Sequence, residues 1–168
     1  TYVQILYRYG LRFTSDPEII KDCIQEVFTS LYKNRNSLIT PDNIKVYLFV
    51  SVKNCLIRTL YKESFYDREL PENIQFSLES TVEEDFINNE QYANQQKMIN
   101  EILALLTPRQ KEIIYYRFIQ ELSMDEICIL MNLNYQSAQN LIQRSLKKVR
   151  QNYDSIEVFL LILAISLK

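Results

Sequence analysis

The sequence predicts an all-α protein built as two small helical domains joined by a flexible acidic linker. Three observations carry that expectation. The 168 residues hold one glycine and four prolines, so few positions favour turns. Apolar residues recur with the 3.6-residue period of packed helix faces. The charge also changes sign along the chain, with nine basic against five acidic residues in 1–62, two against ten in 63–106, and eight against six in 107–168. Two basic halves around an acidic middle suggest two nucleic-acid-facing modules and a linker, although the net charge is only −2.

Residues 1–11 (TYVQILYRYGL) read as the remnant of a helix. Ser15-Asp16-Pro17 opens the next one, with Ser15 or Asp16 as cap and proline at the first helical position. That helix runs to about Asn34 and sets Ile19, Ile20, Cys23, Ile24, Val27, Phe28, Leu31 and Tyr32 along one broad side. Asp22, Gln25, Glu26 and Thr29 fall on the other, an acidic and amide face that by residue type alone is more often solvent than site. After the polar stretch Lys33 to Thr40, Thr40-Pro41-Asp42 starts a long helix to about Lys62. Its core side is Ile44, Leu48, Val52, Cys55, Leu56 and Leu60. Its other side interleaves Lys45, Lys53, Arg58 and Lys62 with Tyr47, Phe49 and Tyr61, which suits a single nucleic-acid strand because bases stack and phosphates pair with cations. Aromatics in the core and lysines in water would fit the same pattern.

Residues 63–89 lack a sustained period, carry Pro71 and are rich in Glu, Asp, Asn and Ser, so they read as a linker. A further helix from about Glu90 to Leu106 leads into the stretch Leu106 to Arg150, which contains three helix starts. Thr107-Pro108-Arg109-Gln110 and Ser123-Met124-Asp125-Glu126 are capping boxes, the second with Leu122 and Ile127 placed as a hydrophobic staple. Asn134 caps the third helix. Only Asn132-Leu133-Asn134 separates the second helix from the third, so Asn132 is expected to turn the corner in the left-handed region. Two short helices joined in this way form a helix-turn-helix.

The third helix packs Ala138, Leu141, Ile142, Leu146 and Val149, and its other face is Gln136, Gln139, Asn140, Gln143, Arg144, Lys147 and Arg150. From Tyr135 to Gln151 there is no acidic residue, whereas a merely solvated helix mixes signs to collect i,i+4 pairs. Amides in the first turns, followed by Arg144, Lys147, Lys148 and Arg150, suit a major groove, where amides bind adenine and cations meet phosphates. A plain exposed helix is the alternative. Beyond it, Val158 to Leu167 (VFLLILAISL) is apolar on every side yet shorter than the roughly 18 residues that a membrane span takes. Such a tail is expected to be covered by its own domain, a second copy or a partner protein, with membrane contact only indirect.

The absences bound the function. Without histidine there is no Ser-His or Cys-His catalysis and none of the usual catalytic zinc sites. With Gly10 as the one glycine there is no phosphate-cradling loop. Cys23, Cys55 and Cys128 lie apart and form no CxxC pair, which suits small buried residues in a reducing cytoplasm. No enzyme activity, metal, cofactor or small-molecule substrate is expected. The chain starts at Thr1 with no charged-then-apolar leader, so it reads as a trimmed cytoplasmic protein.

Both halves resemble the RNA polymerase sigma factors of the extracytoplasmic-function type, close to those of Bacteroidetes. DCIQEVFTSLY (Asp22 to Tyr32) is similar to the region 2 motif that docks on core RNA polymerase, which implies that Asp22, Gln25, Glu26 and Phe28 bind polymerase. IKVYLFVSVKNCLIR (Ile44 to Arg58) resembles the helix that reads and melts the -10 element, with Tyr47, Lys53 and Asn54 at matching positions. Lys45 and Arg58 join them as candidate -10 contacts. LTPRQKEIIYYRF and the hairpin after it resemble region 4, the -35 reader. There Lys111 falls where the family often has a basic residue near phosphate, and it joins Gln136, Gln139, Asn140, Gln143, Arg144, Lys147 and Lys148, read from the third helix itself, as candidate -35 contacts.

The resemblance implies four segments: region 2 in 1–62, an acidic linker in 63–89, the region 4 helix-turn-helix in 90–155, and an apolar tail in 156–168. It also implies promoter DNA and an anti-sigma factor as partners. The alternative is a two-domain helix-turn-helix regulator whose first half senses a partner. A third reading is a module that binds only protein.

Overall fold

The computed structural model describes residues 2–35, 43–66, 75–78, 97 and 99–152. Among them every regular element is helical, as expected, and the chain divides into two compact units, Thr1–Gln75 and Phe76–Lys168.

The first unit is a three-helix assembly of α1 (Tyr2–Gly10), α2 (Pro17–Lys33) and α3 (Ile44–Tyr66), in which each helix packs on the other two. Asp16 is the cap of α2: its carboxylate accepts from the N–H groups of Glu18 at 2.8 Å and Ile19 at 3.3 Å, with Pro17 at the first helical position. Asn43 caps α3 in the same way, accepting from the N–H groups of Lys45 at 2.9 Å and Val46 at 3.2 Å. The start expected at Thr40-Pro41-Asp42 lies outside the described residues. The sole glycine marks a close approach of α1 to α2, because a Cβ on Gly10 would stand 2.6 Å from Cγ2 of the fully buried Ile20. Around that contact Tyr9 packs edge-on against Phe13 and tilted against Phe49, with ring centroids 5.2 and 4.4 Å apart.

Three sequence expectations are corrected here. Phe49, assigned to the basic and aromatic side of α3, is 0% exposed and belongs to the core. Phe28 and Tyr32, assigned to the core side of α2, are exposed, Tyr32 to 68%. Periodicity fixes the centre of an apolar stripe but not its width, so residues on the flanks can fall either way. The third correction concerns the boundary at Lys62, since α3 continues to Tyr66 through a stretch without glycine or proline.

In the second unit, residues 99–104 are helical and bury Ile99, Ile102 and Leu103. Next come α4 (Pro108–Ile114), a π-helical turn over Tyr115–Ile119, α5 (Met124–Met131) and α6 (Tyr135–Asn152). Both capping boxes form. Thr107 and Gln110 exchange bonds of 3.3 and 3.1 Å, and Ser123 and Glu126 exchange bonds of 3.3 and 2.7 Å. The staple residues Leu122 and Ile127 are both buried. The π turn has no signature in the sequence. It shows in the bond from the Gln120 N–H to the Tyr115 carbonyl at 2.9 Å, and the chain turns away two residues after it at Glu121, whose φ is 56°.

The linker expectation is corrected in one place. Phe76 and Leu78 lie inside the acidic stretch 63–89, yet they are only 4% and 0% exposed. The Phe76 ring sits 5.3 Å from that of Tyr115 and 6.1 Å from that of Tyr116. An apolar pair flanking Ser77 with the period of extended chain was too short to register against its polar surroundings. Most of the helix expected from Glu90, the rest of the linker and the tail 156–168 lie outside the described residues. No helix among the described residues is long and apolar enough to cross a membrane.

The Phe76 anchor is testable by truncation. Phe76→Ala should destabilise the second unit by about 3 kcal/mol, at the lower end of the usual cost for a buried phenylalanine. Urea unfolding followed by near-UV circular dichroism of the tyrosines would measure it. A loss below about 0.5 kcal/mol, the level of an ordinary surface change, would contradict the docking.

Candidate nucleic-acid interface

The helix-turn-helix is assembled by local hydrogen bonds. Asn132 adopts φ 50°, ψ 54°, the left-handed conformation expected for the corner. Its N–H and that of Leu133 bond back to the carbonyls of Ile129 at 3.4 Å and Cys128 at 3.0 Å, the pattern that satisfies the open end of α5. Two residues on, the Asn134 side chain accepts from the Ser137 N–H at 2.8 Å and starts α6. Arg109, at the start of α4, donates to the Met131 carbonyl at 3.3 Å and so ties α4 to the end of α5. That bond spans 22 residues, and sequence patterning had no means of finding it.

On α6 the fully buried positions are Ala138, Ser145 and Val149, while Leu141, Ile142 and Leu146 are half-buried at the flanks. Gln136, Gln139, Gln143, Arg144, Lys147 and Arg150 are exposed, as a groove-reading face requires. Asn140 is half-buried and accepts from Gln136 Nε2 at 3.2 Å, so these two amides are ordered together. Lys148 departs from the expected set. Its ammonium donates to the Leu105 carbonyl at 3.1 Å, which closes the turn before α4 instead of pointing along the outer face. Lys111 is half-buried on α4. Tyr135, which sequence reasoning passed over, stands 55% exposed at the start of α6.

In the first unit, Asp22, Gln25 and Glu26 share the wall of an open cleft of about 500 Å³ with Thr29, Ser30, Lys33 and Asn34. Phe28 is exposed on the same helix but does not line this cleft. Of the candidate -10 residues, Tyr47, Asn54 and Arg58 line a second, smaller cleft of about 120 Å³ between α2 and α3, together with Glu26 and Cys55. Lys45 and Lys53 do not line it; both are half-buried, and the Lys45 ammonium lies 5.9 Å from the Phe49 ring centre.

Across that cleft Arg58 donates to Glu26 Oε1 and forms an ion pair, while the Cys55 thiol donates to Glu26 Oε2 at 3.4 Å. The Arg58 hydrogen bond, helped by Cys55, holds the Glu26 carboxyl below the usual range and raises Arg58 in return. Burial, reinforced by Cys23 and Glu26, pushes the Cys55 thiol up to about 12, so it stays a protonated, unreactive thiol at neutral pH. The two groups expected to serve different partners, Glu26 polymerase by the resemblance and Arg58 DNA by its place on the basic side of α3, are therefore bound to each other.

Fold and surface together define a helix-turn-helix protein with a second helical unit that carries its own polar clefts. Residues 1–65 match the family described as Sigma-70 region 2, and residues 96–149 match Sigma-70, region 4. No curated protein matches the chain. A solved structure similar in fold is the co-crystal structure of the sigma factor RpoE in complex with the anti-sigma factor NepR from Bartonella quintana. It has a TM-score of 0.61 at 13% identity over 90% of this chain and 91% of that one.

The two family matches lie in order and together span well over half of the sequence, so the chain belongs to the sigma-70 family of RNA polymerase sigma factors. It is a promoter-recognising initiation factor and not an enzyme. The region 2 match takes the place of the partner-sensing domain in the alternative reading.

The corner can be tested directly. Asn132→Gly should leave the thermal midpoint of the second unit unchanged or higher, because glycine adopts the left-handed region without penalty. Asn132→Val should cost about 1–2 kcal/mol by forcing a branched side chain into it. Equal stability of the two variants in thermal melts would contradict the observed backbone.

Proposed function

We propose that this sigma factor is of the extracytoplasmic-function type, with region 2 and region 4 dividing the work of initiation. The exposed face of α2, carrying Asp22, Gln25, Glu26 and Phe28, docks on core RNA polymerase. Lys45, Tyr47, Lys53, Asn54 and Arg58 on α3 meet the opened -10 element, where aromatic and cationic groups offset the few kcal/mol per base that unstacking costs. α6 enters the major groove of the -35 element. There Gln136, Gln139, Asn140 and Gln143 face bases, Arg144 and Lys147 face phosphates, and Lys111 and Lys148 support from the flank.

The single observation that carries this reading is the outer face of α6, an exposed run of amides followed by cations with no acidic residue, held at a helix-turn-helix corner within the region 4 match. An anti-sigma factor is the regulatory partner we infer, since the structurally similar RpoE was solved with one. The apolar segment within 156–168 is a candidate for cover by such a protein, which would make any membrane contact indirect. The site of action is the cytoplasm, where core polymerase meets the chromosome. The motifs in Asp22 to Tyr32 and Ile44 to Arg58 point to a Bacteroidetes-like member.

The experiment is a promoter-binding series with polymerase holoenzyme. Gln139→Ala and Gln143→Ala should each cost about 1–3 kcal/mol at particular -35 base pairs and little at others. Lys147→Ala should weaken all sequences alike and lower the salt slope by about one unit. Equal losses for the glutamine and lysine variants across unrelated sequences would contradict base readout by α6.

A further inference from the structure

Glu26 borders two clefts at once. It lines the open cleft on α2 with Asp22 and Gln25, and it lines the smaller one with Tyr47, Asn54 and Arg58. Both of its carboxylate oxygens are engaged on the second side, Oε1 by Arg58 and Oε2 by Cys55. Arg58 is committed in turn, because the same Nη2 also reaches the Cys55 sulfur at 3.6 Å. A guanidinium that already faces a carboxylate attracts phosphate weakly, since the neighbouring negative charge cancels much of its field.

We propose that the Glu26–Arg58 ion pair is a latch that withholds Arg58 from nucleic-acid phosphate in the free protein and opens when a cationic group of the polymerase engages Glu26. This rests on the proposed assignment of the α2 face to polymerase and of α3 to the -10 strand. The latch links the two by competition. A cation arriving at the α2 cleft takes over a Glu26 oxygen, and Arg58 turns to the DNA. By linkage, the bound strand then favours polymerase docking by the same factor. The side chains of Arg58 and Glu26 are 54% and 60% exposed, so the gate is shallow. Exposed pairs of this kind correspond to about a two- to fivefold change in an equilibrium.

The test uses the full-length free protein and a fluorescein-labelled mixed-sequence single-stranded DNA of about 12 nucleotides, a length within the range that single-strand sites cover. Binding is read by anisotropy at low salt. Glu26→Gln removes the latch, and Asp22→Asn, on the same face one turn earlier, makes the identical change in net charge without touching Arg58. The latch predicts that Glu26→Gln binds about two- to fivefold more tightly than Asp22→Asn, and that this advantage vanishes when Arg58→Gln is added to both. Equal affinities, or an advantage that survives without Arg58, would overturn it. A pair that merely fastened α2 to α3 would lower the thermal midpoint of Glu26→Gln and leave that difference in affinity at zero.

Saturating core polymerase should then raise the strand affinity of the wild-type protein more than that of Glu26→Gln, and equal increments would overturn the coupling. Failure of the wild-type protein to bind polymerase would instead refute the proposed function. The comparison made without polymerase would still decide whether Arg58 is held back.

Discussion

What α6 can present to DNA depends on the angle at which α5 hands the chain over, and that angle is set at Asn132, in the left-handed region at φ 50° and ψ 54°. Successive residues of an α-helix rotate by about 100°. One residue more or fewer in the corner would therefore swing Gln139, Gln143 and Lys147 off the outer face and bring Ala138 and Val149 out of the core. The corner is held from both sides. The amides of Asn132 and Leu133 close α5, Asn134 opens α6, and Arg109 binds the Met131 carbonyl. The small fully buried residues Ala138, Ser145 and Val149 let α6 lie close against α4 and α5, which leaves its long polar side chains pointing outward.

The first unit meets its constraint differently. There Gly10 lets α1 close on Ile20, and Tyr9 wedges against Phe49. This packing brings α2 and α3 side by side, so that the surface proposed to face polymerase and the one proposed to face the -10 strand share a border. Glu26, Cys55 and Arg58 occupy that border as one hydrogen-bonded group. A change felt on one helix then has a short route to the other, and binding polymerase and binding DNA need not be independent events.

Much of this was legible in the sequence because much of it is local. Caps, capping boxes and the left-handed corner are each written within a few residues, and the structure forms those that fall among the described residues, with both residues of the expected staple buried. What the sequence hid is long-range or non-periodic. Lys148 finds the Leu105 carbonyl 43 positions away, Arg58 finds Glu26 32 positions away, and Phe76 reaches the Tyr115 and Tyr116 rings from inside an acidic stretch. By pattern Phe49 is one more aromatic on a basic face, whereas in the fold it is fully buried with the Tyr9 ring of a different helix against it. The candidate site was therefore clearer on α6, where the outer face is defined by one helix, than on α3, where it depends on what α2 contributes.

The most direct measurement of the central claim is reconstituted run-off transcription, with purified core polymerase and genomic fragments in the presence and absence of this protein. Specific transcripts should appear only when the protein is added, and they should start downstream of paired -35 and -10 elements. Transcription that is unchanged by the protein, together with no association between it and core polymerase, would contradict the account.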